Sequence, residues 1–345
     1  MMLLIDKEDM VKEINILDLA NKLNGTIVGS FNKETIISGT CPIDNYSPNK
    51  VSFIRSAKYD ALLADLENAI VLIPKGLVKL CDKYPNNAYI IVEDVVFALM
   101  DIQSFFYSDL SVIHEEGISK TAYVDASARL GNNVYIGENV YIGENVVIGD
   151  GTKVQHNSCV LGDVVIGNDT YIYPNVCVYN NCEIGSKCII HSGVGIGMDG
   201  FRFEQNAEQT EVRKMIHAGQ VLIGNNVEIG SNCTIARATF YGEKTLIADN
   251  VKLDNLVHIA HNAKIGERTL IAAQTCLAGS VKIGQDCWIG AGATISNGVR
   301  INNGAQILLN AVVAHNVAEN QVVSGFYAMP HDEWKSAWKR LRKNR

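Results

Sequence analysis

His261, in the segment IAHN, is the residue of this sequence best suited to move a proton at neutral pH. A free imidazole titrates near about 6.5, so it can take a proton from a nucleophile and hand it on. His261 falls on an outward position of a repeating pattern described below, where it is either a general base or a histidine that packs between subunits. His258, three residues earlier, is the rival base, or else a surface residue near a corner. Asp254, seven residues before His261, has the chemistry to orient an imidazole or to contact a substrate; the alternative is a solvated corner acid. Gly279 follows His261 by 18 residues. A glycine N–H can face a developing oxyanion with no side chain in the way, although a simple corner glycine fits as well. Phe53 and Tyr59, six residues apart across a strand and turn, can hold a planar base between two rings, or they pack in a core.

The remaining histidines, His156, His191, His217 and His315, show no spacing that suggests a zinc triad. The nine cysteines include no Cys-x-x-Cys pair and alternate with Val, Thr and Ala at equivalent repeat positions, so they read as small apolar residues. No metal site is expected.

These residues need a frame, and a six-residue period supplies it. From Leu130 an aliphatic residue returns at every sixth position through Ile136, Ile142 and Ile148 to Ile196; it resumes at Ile223 and again from Ile247 to Val313. A helix would repeat every three to four residues and an ordinary strand every two, so neither fits. Short strands with a turn after each hexapeptide build a parallel β-helix of about three faces and about 18 residues per coil, with neighbouring coils about 4.8 Å apart. On that ruler Gly279 sits one coil beyond His261. Residues 197–219 lose the period and turn polar, which marks a loop thrown out from one corner; Asp199, Gly200 and Phe201 open it and are candidates to close a substrate or acyl site. A smaller irregularity surrounds Phe240.

Residues 1–118 have another texture. NILDLANKLN and FALMDIQSFFY read as helices, and TIVGS, TIISGT, VSFIRS, AIVLIP and AYIIVED as strands of a small α/β domain. Residues 119–318 are the β-helix, and residues 319–345 end in a short basic helix, HDEWKSAWKRLRKNR. A net charge of −7 excludes a field that would gather nucleic acid. No apolar run is long enough for a membrane span, and the acidic start MMLLIDKEDM is unlike a signal peptide, so a cytoplasmic protein is expected.

The segments SFIRSAKY, GMDGF, VEIGSNCTI, LDNLVHIAHNAKIG and LAGSVKIG together resemble the UDP-3-O-acylglucosamine N-acyltransferases of lipid A synthesis, over nearly the whole chain. The resemblance implies a left-handed β-helix, a nucleotide-binding N-terminal domain, a helical tail and a homotrimer. It implies His261 as the base, Asp254 as an acid near the reacting sugar, Gly279 as the oxyanion donor, and Phe53 and Tyr59 as the pair around the base.

The sequence departs from that family at several motif positions. Ala236 and Ala238, in TIARAT, replace an acid and a glycine, Gly298 stands at the place of a second histidine, and the tail is shorter. Ser56 replaces an Asn near the base, where a smaller residue leaves room for the methyl of thymine. Three readings follow. The favoured one is an N-acyltransferase that uses short acyl-CoA and a dTDP-linked amino-deoxysugar. The second is the lipid A enzyme itself, with acyl carrier protein as donor. The third is a β-helix scaffold that binds nucleotide without catalysis. In the enzyme readings the thioester is a co-substrate and no cofactor is bound.

Overall fold

The computed structural model describes residues 12–107, 116–325 and 330–343, and the chain divides into two compact units between residues 114 and 115. The acidic start and Arg345 lie outside the described residues, as do the side chains of Arg342 and Lys343. Among the described residues no helix is long and apolar enough to cross a membrane.

The N-terminal unit is a four-stranded sheet in the order Thr26–Gly29, Ala88–Val92, Ile70–Pro74, Val51–Phe53. Only the first pair is antiparallel. Ile70–Pro74 is central, and its near-continuous apolar run follows from burial on both faces. Ile70 and Leu72 join one apolar cluster with Ile102 and Phe106 of the helix Val95–Tyr107, whereas Val71 and Ile73 join a second on the opposite face. The helix Ile16–Lys22 begins where the Asn15 side chain accepts the Leu17 N–H at 2.8 Å, relieving one of the unpaired donors of a helix start.

The second unit is the parallel β-helix. Its strands stack into three parallel sheets of 11, 10 and 9 strands, taken here as the first, second and third faces. One coil reads Lys252–Leu253 on the first face, His258–Ile259 on the second and Lys264–Ile265 on the third. Each pairs in register with the strand 18 residues on: Leu253 with Ile271, Ile259 with Leu277, Ile265 with Ile283. The aliphatic residue of every hexapeptide points inward, and Ile136, Ile142, Ile259 and Leu277 are fully buried in one continuous core. The first coil begins at Gly117–Ile118, and Val322–Val323 still pairs with Gln306–Ile307, so the solenoid runs slightly beyond 119–318 at both ends.

The corners divide their work between two residue types. The residue three places after the inward aliphatic adopts the left-handed conformation, as at Asn139, Asn145 and Asn157 (φ 55°, 56° and 58°), and Asn tolerates it best after glycine. The glycine directly after the aliphatic serves closeness instead. A Cβ on Gly137 would stand 2.9 Å from the His156 backbone nitrogen of the next coil.

Residues 197–219 leave the second face after Gly195–Met198 and return to the third at Gln220–Ile223. They are more ordered than a polar loop suggests, because Phe203–Gln205 and Val212–Lys214 pair as an antiparallel hairpin. The tail helix spans His331–Lys343.

Candidate active site

Three features converge on the corner between the second and third faces. His261 lies between His258–Ile259 and Lys264–Ile265; the long loop springs from the same corner; and the short insertion 237–243 joins Thr234–Ala236 to Lys244–Ile247 there. That insertion lengthens its coil, so Thr234 pairs with His258, 24 residues later.

His261 is half-buried, and its tautomer follows from its neighbours. Asn262 Oδ1 accepts the Thr239 N–H at 3.1 Å and the Thr239 hydroxyl at 3.0 Å, which identifies that atom as the amide oxygen. His261 Nδ1 lies 2.9 Å from the same oxygen and therefore carries the hydrogen. Nε2 is left with its lone pair. Thr239 is buried, and Asn262 is itself held by its N–H donating to Thr245 Oγ1 at 2.9 Å, so the imidazole is oriented from two coils.

Gly279 stands one coil on at the same corner. A Cβ there would lie 2.7 Å from both Cε1 and Nε2 of His261 and 2.9 Å from Asn297 Oδ1, so only glycine lets the imidazole sit where it does. Gly279 is buried, and its N–H has no hydrogen-bond partner among the described residues. A buried, unpaired donor beside a basic lone pair is the arrangement that a transient oxyanion requires.

The loop reaches the same place. A Cβ on Gly200 would stand 3.0 Å from Cδ2 of His261, while Phe201 is 90% exposed. Asp199 pairs with Lys214 across the loop. Arg237 fixes the point of departure, its Nε donating to the Gly197 carbonyl and its Nη2 to the Asn180 carbonyl at 3.1 Å.

Asp254 is placed elsewhere. It follows Leu253, at the corner between the first and second faces, where its carboxylate accepts the N–H groups of Asn255 at 2.7 Å and Ala273 at 3.2 Å. It lines a groove of about 450 Å³ with His191, Glu228, Lys252, Leu270 and Trp288. Within one chain it does not orient His261; Asn262 and Thr239 do. His258 is exposed on the second face and bonds to Thr234 Oγ1 at 2.7 Å.

In the N-terminal unit, Phe53 and Tyr59 line one groove of about 410 Å³ with Pro42, Ile43, Arg55 and Leu62. Ser56 is not among the lining residues; its hydroxyl caps the short helix Ala57–Leu63 by accepting the Lys58 N–H at 3.4 Å.

Comparison with known proteins matches this architecture. Residues 118–199 match the GMPPB C-terminal domain, residues 244–279 the bacterial transferase hexapeptide (six repeats), and residues 280–315 the hexapeptide repeat of succinyl-transferase. A UDP-3-O-acylglucosamine N-acyltransferase from Polynucleobacter asymbioticus is 31% identical over 65% of this chain and 64% of its own length. One from Saccharophagus degradans is 40% identical over 65% of this chain and 63% of its own. The chain thus spans a little under two thirds of these relatives. The solved UDP-N-acetylglucosamine acyltransferase of Arabidopsis superposes with a TM-score of 0.55 at 29% identity, over 61% of this chain and 71% of that one. The chain is a hexapeptide-repeat relative of the UDP-3-O-acylglucosamine N-acyltransferases, and its β-helix is left-handed.

Two departures from that family's pattern now have a physical setting. Ala236 and Ala238 are fully buried, and Ala238 packs where the loop returns, since a Cβ on Gly219 would meet it at 2.7 Å. These positions serve packing rather than polar contact. Gly298 has φ 71°, a conformation that strains any side chain, histidine included. The residue that sequence reasoning passed over is His217, 3% exposed at the base of the loop, whose ring lies edge-on to His261 with centroids 5.5 Å apart. Nothing periodic in the sequence marks it.

Proposed function

We propose that this protein moves an acyl group from a pantetheine thioester to the amino group of a nucleotide-linked amino sugar. The observation that carries the reading is the pairing of His261 Nε2, a bare lone pair, with the unpartnered N–H of Gly279 at one corner of the solenoid. The amine attacks the thioester carbon while His261 takes one of its protons. The carbonyl oxygen gathers negative charge facing the Gly279 N–H. As the tetrahedral species collapses, the carbon–sulfur bond breaks and the imidazolium returns its proton to the leaving thiolate, giving amide and thiol.

For the acceptor, the relatives favour UDP over dTDP. Both relatives compared above carry the name UDP-3-O-acylglucosamine N-acyltransferase, and the Ser56 hydroxyl is engaged in capping the helix Ala57–Leu63, which weakens the argument for thymine. We therefore favour the lipid A type of acceptor, with acyl carrier protein as the donor, over the dTDP-amino-deoxysugar and short acyl-CoA first expected. The nucleotide base is assigned to the groove of Phe53 and Tyr59. A homotrimer, as in the family, would wall in the exposed corner at His261.

The test is thiol release by the purified protein from acyl carrier protein and coenzyme A thioesters, each offered with UDP- and dTDP-linked amino sugars. Transfer to UDP-linked 3-O-acylglucosamine is expected. Transfer confined to dTDP sugars would restore the first reading, and no transfer to any amino sugar would defeat the enzyme assignment.

A further inference from the structure

The base of the loop holds an acceptor that the mechanism above leaves unused. His217 Nδ1–H donates to the Met215 carbonyl at 3.0 Å, so Nε2 carries the lone pair. That Nε2 is buried and accepts no hydrogen bond. A buried acceptor left without a donor is destabilising, and native structures rarely retain one that nothing satisfies. Gly200 packs against it and against the base alike, for a Cβ on Gly200 would stand 3.0 Å from His217 Nε2 and 3.0 Å from His261 Cδ2. The segment that seals it reaches solvent at both sides of Gly200, since Phe201 is almost fully exposed and Asp199 forms a surface ion pair with Lys214.

We propose that His217 Nε2 accepts a hydrogen bond from the attacking amine, so that the two imidazoles share the two N–H groups of R–NH₂. His261 removes one proton; the other stays on nitrogen, facing His217, and becomes the N–H of the product amide. The inference rests on the N-acyl transfer reading and deepens it, because it names what selects an amine over a hydroxyl, which has a single hydrogen to give. Burial holds the His217 imidazole below its ordinary pKa, which keeps it a neutral acceptor at the pH where the amine reacts. The segment Asp199–Phe201 must move aside as the sugar enters.

The experiment compares UDP-3-O-acylglucosamine with its 2-hydroxy counterpart at about pH 8.5, where the amine is neutral, by calorimetric Kd and by kcat/KM with acyl carrier protein thioester. Wild type should favour the amine, and His217→Phe should lower its kcat/KM about 30-fold, the scale of one lost hydrogen bond in a buried site, while narrowing the amine-to-hydroxyl ratio. His217→Gln, which keeps an acceptor, should recover most of both. An unaltered ratio in His217→Phe, with wild type active, defeats this inference alone; no transfer by wild type defeats the acyl-transfer reading and this inference with it. Should the Phe variant not fold, imidazole nitrogen NMR of the wild type decides: Nε2 of His217 should move upfield on saturation with UDP-3-O-acylglucosamine, and an unmoved signal in active protein overturns the proposal.

Discussion

The side chain that Gly279 lacks would stand 2.7 Å from Nε2 of His261, across one coil of the solenoid. Even a methyl group must therefore displace the imidazole and cover the one N–H placed to meet an oxyanion. Gly279→Ala is expected to lower kcat about 100-fold, the usual effect of losing one such donor, with far-UV circular dichroism unchanged. Wild-type turnover in the alanine variant would remove Gly279 from the chemistry.

The orientation of His261 gives a graded second prediction. His261→Ala should lower kcat by about 100-fold or more while nucleotide binding holds, because the loss is of proton transfer rather than of contact. Thr239→Val keeps the volume but removes the hydroxyl that holds Asn262 Oδ1 at 3.0 Å, and should cost kcat about 3- to 10-fold through looser positioning of the ring. Equal effects from the two variants would mean that the hydroxyl acts directly on substrate.

The N-terminal groove is tested apart from catalysis. Tyr59 is 41% exposed and contributes little to the core, whereas Phe53 packs partly against the apolar cluster beneath it. Tyr59→Ala should therefore weaken UDP binding about 10-fold, the scale of one lost base-stacking contact, with little loss of stability. Phe53→Ala should weaken binding and stability together. Calorimetry with UDP and dTDP reads both effects and ranks the two bases; a dTDP preference would contradict the relatives.

The solenoid was legible in the sequence because a single physical demand, one inward aliphatic per hexapeptide, repeats from Leu130 to Val313 with few breaks. The same ruler placed Gly279 beside His261 correctly. It also contained a distinction that resemblance obscured: Asp254 directly follows its inward Leu253, whereas His261 lies two places after Ile259, one corner further on, so the two cannot share a corner within one chain. What the period could not reach was Thr239, because the insertion 237–243 stretches its coil and shifts the count. His217 was out of reach for the same reason in stronger form. Its approach to His261 depends on how a hairpin folds back, and no spacing encodes that.

His217 also makes the fold sensitive to acid, and the sign can be worked out. Its imidazole titrates below the ordinary value of 6.5 because burial penalises the cation, while in the unfolded chain it regains that value. Between the two pKa values the unfolded chain binds more protons than the native one, so stability rises with pH across that window. It is complete above 6.5 and is progressively lost as the pH falls from there through the depressed native value. The urea midpoint of wild type should accordingly fall between about pH 7 and about pH 5, and His217→Gln, which cannot take a proton in that range, should flatten that part of the slope. An identical pH slope in both proteins would mean that other groups dominate the acid response and that His217 is not held neutral by burial.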